Sequence, residues 1–178
     1  MKKFFTILFL IPLSFSASAQ FRTDYSELND SETVSTIKNH VEFISSAALE
    51  GRKAGSDGEK ECAKYVWEIL ESYGVEMLNN EDGDLFGIKT DVGDTLTSRN
   101  VMGFVQGYDP ELRDRYIVIG ARLDNIGTNV LTVDGQRTEQ IYYGENGNAS
   151  GLAMMMELAK MVSTNDILVR RSILLAGN

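Results

Sequence analysis

Two short apolar runs that bracket a helical stretch constrain this chain most. Tyr116-Ile117-Val118-Ile119-Gly120-Ala121 is almost unbroken, and Ser172-Ile173-Leu174-Leu175-Ala176 repeats the pattern. Such runs suit strands covered on both faces, because a strand with one wet face alternates apolar and polar residues. Between them, from about Ser150 to Val162, Ala153, Met156, Leu158, Ala159 and Val162 follow a helical period. Strand, helix and strand together predict a parallel, right-handed βαβ unit. The fold class is therefore α/β. In open sheets of this class ligands bind beyond the carboxyl ends of strands. That directs attention to Arg122-Leu123-Asp124 and to the loop before Ser150.

Upstream, two amphipathic helices are expected. The first starts at Asp30 or Ser31 and aligns Val34, Ile37, Val41, Ile44 and Ala48. Glu50 to Gly55 breaks it. Ser56 and Glu59 form a capping box for the second helix, whose stripe is Cys62, Val66, Ile69 and Tyr73, ended by Gly74. Val75–Leu78 and Asn100–Val105 read as strands. Asn79–Thr97 reads as a surface loop or hairpin, and Leu123–Asn148 as a long loop. The acids from Glu81 to Asp94 lack the spaced ligands of a calcium loop and read as solvated.

The N-terminus carries an export signature. Lys2 and Lys3 precede an apolar run from Phe4 to Phe15, and Ala17-Ser18-Ala19 has the small residues of a cleavage site. A membrane anchor needs about 18–20 apolar residues, more than this run provides. Residues 1–19 are thus expected to be a signal peptide cleaved after Ala19, with 20–29 a flexible leader and 30–178 the folded domain. The product would be periplasmic or secreted. Removal takes away two lysines and no acids, so the formal net charge of −9 becomes −11. That balance disfavours nucleic acid as a partner. Cys62 is the only cysteine, so no disulfide staples the chain.

Five short motifs, in order, carry a resemblance. They are Glu50-Gly51-Arg52-Lys53-Ala54-Gly55-Ser56, Arg99-Asn100-Val101, Ile117 to Asp124, Gly144-Glu145-Asn146-Gly147-Asn148-Ala149-Ser150-Gly151, and Arg171 to Leu175. Together they resemble the zinc-dependent aminopeptidases of the bacterial leucyl aminopeptidase and aminopeptidase Y type, over about the first half of that domain. The resemblance implies a three-layer α/β/α sandwich with a mixed, mainly parallel sheet of the zinc-exopeptidase kind, its C-terminal half missing. It also implies hydrolysis of N-terminal residues from peptides, with two zinc ions and a glutamate base.

The matching positions depart from that chemistry. The first ligand histidine falls at Arg122, and the metal-bridging aspartate at Gly147. The aspartate that orients the histidine is retained as Asp124. The base and its neighbouring glutamate would follow the strand that leads to Asn178. Zinc needs imidazole, thiolate or carboxylate ligands, so no zinc and no other cofactor is expected for this chain. Arg122 has two readings, a strand-end residue paired with Asp124 or a ligand-binding group. Glu145 is a poor substitute ligand, since one carboxylate does not make a zinc site. His40 reads as a solvated or edge-of-core residue, Cys62 as a buried small hydrophobe, and Met154, Met155 and Met156 as packing residues.

Three functions follow. The chain is a degenerate or truncated relative without activity, or a scaffold that binds a peptide or a complementing polypeptide, or a hydrolase using other residues. The last lacks a Gly-x-Ser-x-Gly elbow, and the lone histidine is remote from every nucleophile. A phosphate-binding loop is excluded too, because the glycines from Gly144 to Gly151 lack the lysine of that motif.

Overall fold

The computed structural model describes residues 31–133 and 135–178. The expected signal peptide and leader lie outside the described residues. Helix α1 spans Glu32–Ile44 and is capped by Ser31, whose side chain accepts from the amide of Val34 at 3.2 Å. A short 3-10 turn, Ala47–Leu49, follows. It buries Leu49 and leaves Ala48 exposed, so the apolar stripe of α1 ends one turn earlier than the spacing suggests.

Helix α2, Asp57–Ser72, begins at the expected box, although only half of the box closes. The Ser56 hydroxyl accepts from the amide of Glu59 at 3.3 Å. Glu59 does not return to Ser56. Its carboxylate accepts from the amide of Gly55 at 2.6 Å and from the hydroxyl of Ser98, which ties the helix start to a strand. At the other end Gly74, with φ +79°, turns the chain through the left-handed region where a Cβ is costly.

The strands are β1 (Glu76–Met77), β2 (Asp84–Lys89), β3 (Thr95–Val105), β4 (Ile117–Ala121), β5 (Gly127–Val133), β6 (Gln136–Tyr142) and β7 (Ile173–Gly177). Helix α3, Ser150–Ser163, joins the β6 side of the chain to β7. The main sheet runs β1-β3-β7-β4, with β2 also on β3. It is mixed. Strand β4 is parallel to β7, as the βαβ unit requires, and β3 is antiparallel to β1, β2 and β7.

The stretch read as a surface loop or hairpin contains a hairpin, and the stretch read as a long loop contains another. Residues 79–97 contribute β2 and the start of β3, and the acidic segment is the exposed rim of that hairpin. Residues 123–148 contain a separate two-stranded ribbon of β5 and β6. Its strands are rich in Thr, Asn, Gln and Glu and show no apolar alternation, which is why periodicity misses them.

All three helices pack together over one face of the sheet. Ile44, Cys62, Val66, Leu70, Leu152, Met156 and Ala159 there meet Val101, Ile173 and Leu175. Full burial of each large aliphatic side chain contributes roughly 1.5–3 kcal/mol. The opposite face has no helix over it among the described residues. Phe104, Tyr116, Leu78 and Leu174 line an apolar groove there, with the rings of Phe104 and Tyr116 edge to face at 6.1 Å. This corrects the expectation for β4. It is an edge strand, and Val118 is 64% exposed, because the described residues cover only the helical side. The methionine triplet is likewise split: Met155 and Met156 are buried, and Met154 points outward at 57% exposure.

Candidate functional site

The carboxyl ends of β4 and β7 lie side by side, with Ala121 opposite Gly177. The chain leaves β4 through Arg122, Leu123, Asp124 and Asn125 into the ribbon. It returns through an irregular turn, Glu145–Ala149, that leads straight into α3. The loop before α2, Gly51 to Gly55, closes the third side.

Arg52 holds these pieces together. Its side chain is fully buried, and its backbone takes the left-handed conformation at φ +52°. The guanidinium donates to the carbonyls of Leu123 (3.3 Å), Tyr143 (2.9 Å), Gly144 (3.1 Å) and Ile44. It thus spans the end of α1, the exit from β4 and the return from the ribbon. Its own carbonyl accepts from the amide of Asn125 at 2.8 Å, and that of Gly51 from the amide of Gly127 at 2.9 Å. Burial lowers the guanidinium's pKa from its ordinary value, and the negative charges of Glu145 and Asp124 act in the opposite direction. Among the described residues no carboxylate is bonded to it directly. The cation is held by carbonyl dipoles, so it supports the loops and is not free to meet a ligand. The sequence flags Arg52 within a motif, yet an arginine in a Gly-rich turn carries no local sign of burial. That the guanidinium would reach carbonyls of three other segments of the chain is not visible there.

Arg122 and Asp124 form an exposed ion pair. Arg122 Nε and Nη2 lie 3.2 and 3.1 Å from Asp124 Oδ1, and Nη2 lies 3.3 Å from Oδ2. The first reading of Arg122, a strand-end partner of Asp124, describes this contact. With side-chain exposures of 65% and 29%, the pair is solvated and stabilises by at most about 1 kcal/mol.

Gly147 sits in the turn before α3 with φ −124° and ψ 48°, so its φ lies outside the left-handed region that favours glycine. A Cβ there would approach Asn125 Oδ1 at 3.3 Å, so a side chain needs a shift of only a few tenths of an ångström. Asn125, which sequence reasoning did not single out, separates this turn from the ribbon, and its Nδ2 donates to the carbonyl of Tyr142 at 2.8 Å. The carbonyl of Gly144 accepts from the amides of Gly147 and Ala149, both at 3.1 Å, besides Arg52. Asn148 Oδ1 accepts from the amide of Gly151 at 3.2 Å and so caps the first turn of α3.

These residues do not fit a zinc centre. A guanidinium is always cationic and offers no lone pair, and Gly147 offers no side chain. Asp124 is engaged with Arg122. Among the described residues no three His, Cys, Asp or Glu side chains are grouped so as to hold a metal ion. His40 is buried and bonded to the hydroxyls of Tyr65 and Tyr73, and Cys62 is in the core, its thiol pKa pushed up to about 12 chiefly by burial. Neither is poised as a ligand or nucleophile.

No protein-family model and no curated protein matches the chain. Solved structures do match it. A glutaminyl cyclase from Tannerella forsythia superposes with a TM-score of 0.58 at 17% identity, over 80% of this chain and 45% of that one. A leucine aminopeptidase precursor from Bacteroides thetaiotaomicron gives 0.59 at 20% identity, with the same 80% and 45%. A Zn-dependent exopeptidase from Parabacteroides distasonis gives 0.56 at 17%, again over 80% and 45%. The chain therefore spans about 45% of the length of these structures and over that part has the mixed α/β zinc-exopeptidase-like fold.

Proposed function

We propose that this chain is an exported relative of the zinc metallo-aminopeptidases that does not hydrolyse peptides through the residues described. The observation that carries this reading is the Arg122–Asp124 ion pair at the end of β4. There the chemistry of the resemblance needs a neutral imidazole held by a carboxylate, and this chain has a guanidinium held by the same carboxylate. The aminopeptidase subtype rests on the sequence motifs, because the structural neighbours include both a leucine aminopeptidase precursor and glutaminyl cyclases. A fold shared among different chemistries does not select one of them. Export rests on the N-terminal pattern of charge, apolar run and small residues.

A second reading is favoured by the open sheet face. Phe104, Tyr116, Val118 and Leu174 would suit a scaffold that binds a peptide or a complementing polypeptide in place of cutting one. Elemental analysis of the dialysed protein, with aminoacyl-p-nitroanilide hydrolysis beside it, tests the main proposal. We expect less than stoichiometric zinc and hydrolysis no faster than the buffer blank. One or two tightly held zinc ions per chain, or clear turnover, would overturn it. Saturable peptide binding without cleavage would favour the second reading.

A further inference from the structure

A buried polar cluster, made of residues other than those of the candidate site, lies where the three helices meet. His40 on α1 is 5% exposed, and it is the chain's single histidine. Its Nδ1 lies 2.7 Å from the hydroxyl of Tyr65 on α2, and its Nε2 lies 3.4 Å from the hydroxyl of Tyr73, the C-cap residue of α2. The imidazole also meets the Tyr65 ring edge-on at 5.8 Å. From α3, Glu157 and Lys160 act on it electrostatically. Glu157 is itself buried, with Oε2 free of any hydrogen-bond partner among the described residues and Oε1 4.0 Å from Lys160 Nζ. Lys160 is also drawn 3.3 Å from Glu32 on α1. Glu145, on the turn packed beside α1, acts on Arg52 and is not among the charges acting on His40.

A neutral imidazole suits this place. One ring nitrogen donates and the other accepts, and a tyrosine hydroxyl can take either role. A protonated ring must donate at both nitrogens and puts a full charge into a site shielded from water. Its attraction to Glu157 is divided with Lys160, which also repels it. Burial is the largest influence, so the imidazole's affinity for a proton falls below its ordinary value.

We propose that His40 is an acid-sensitive clamp: its neutral ring, held between Tyr65 and Tyr73, keeps α1 seated on α2 and α3, and its protonation loosens α1. The sign follows from proton linkage. A histidine that binds its proton less well in the folded state contributes stability at pH above about 6.5, and loses it as the pH falls through the folded value.

The single histidine makes the test direct. In the full chain, imidazole carbon-bound protons followed by NMR should titrate below pH 6.5, the ordinary value. Amide exchange of α1, corrected for intrinsic rates, should quicken as the pH is lowered from 7.5 to 5.0, the direction that a lowered imidazole proton affinity requires. His40→Gln should abolish that acceleration. Glu157→Gln, which removes the one attracting charge, should move the His40 titration further down. Titration at or above 6.5 would overturn the proposal, as would an unchanged acceleration in His40→Gln. Should His40→Gln fail to fold, the wild-type titration and the Glu157→Gln displacement decide it, and a displacement upward refutes it.

Discussion

Arg52→Met tests how far one buried cation organises the site. The substitution keeps much of the side-chain volume and the same cost of the left-handed backbone, so the difference reports on the guanidinium. The bonds to the carbonyls of Ile44 and Leu123 are buried, and leaving each acceptor unpaired costs about 1–3 kcal/mol. The bonds to Tyr143 and Gly144 are partly exposed, so water replaces them at a cost of at most about 1 kcal/mol each. Against these losses stands the desolvation of the guanidinium, several kcal/mol, which its removal relieves. The relief offsets more than half of the losses, so the net expectation is a loss of about 2 kcal/mol, still a sizeable share of a small domain's total stability. Urea unfolding followed by circular dichroism reads it, provided the slope with denaturant is unchanged. Arg52→Lys keeps the charge but loses the planar fork, and should fall between the two. If Arg52→Met lies within about 1 kcal/mol of the wild type, the carbonyls are not held by Arg52 and the account of the site is wrong.

Two further outcomes follow from the same geometry. Gly51→Ala places a Cβ 2.4 Å from the carbonyl oxygen of Gly127 and 2.6 Å from that of Tyr142, at φ +70°, so it should cost at least about 2 kcal/mol. An unchanged melting temperature would refute the close approach of this loop to the ribbon. The open face and the unguarded edge of β4 should make the purified chain self-associate, or join a complementing chain, and Val118→Lys should weaken that association in light scattering. A wild type that stays monomeric at high concentration would show that this face needs no cover.

What the residues determine by themselves is local or nearly so. The three helices follow from apolar spacing at three and four, and Ser31, Ser56 and Gly74 mark their ends because capping involves neighbours in the chain. The parallel pair of β4 and β7 follows from two apolar runs joined by a helix. The resemblance sets two of its zinc-ligand positions at Arg122 and Gly147, and that neither residue can ligate a metal is plain from its identity. Only the tertiary structure decides the rest, for one physical reason: burial and partnership depend on segments far apart in sequence. Arg52 meets carbonyls 8, 71, 91 and 92 positions away, and nothing within its own turn announces them. His40 is likewise closed in by tyrosines 25 and 33 positions on, although its polarity suggests a solvated or edge-of-core place. Strand β4 shows the converse: its apolar residues are suited to cover on two faces, and the packing of the helices settles which one the described chain covers.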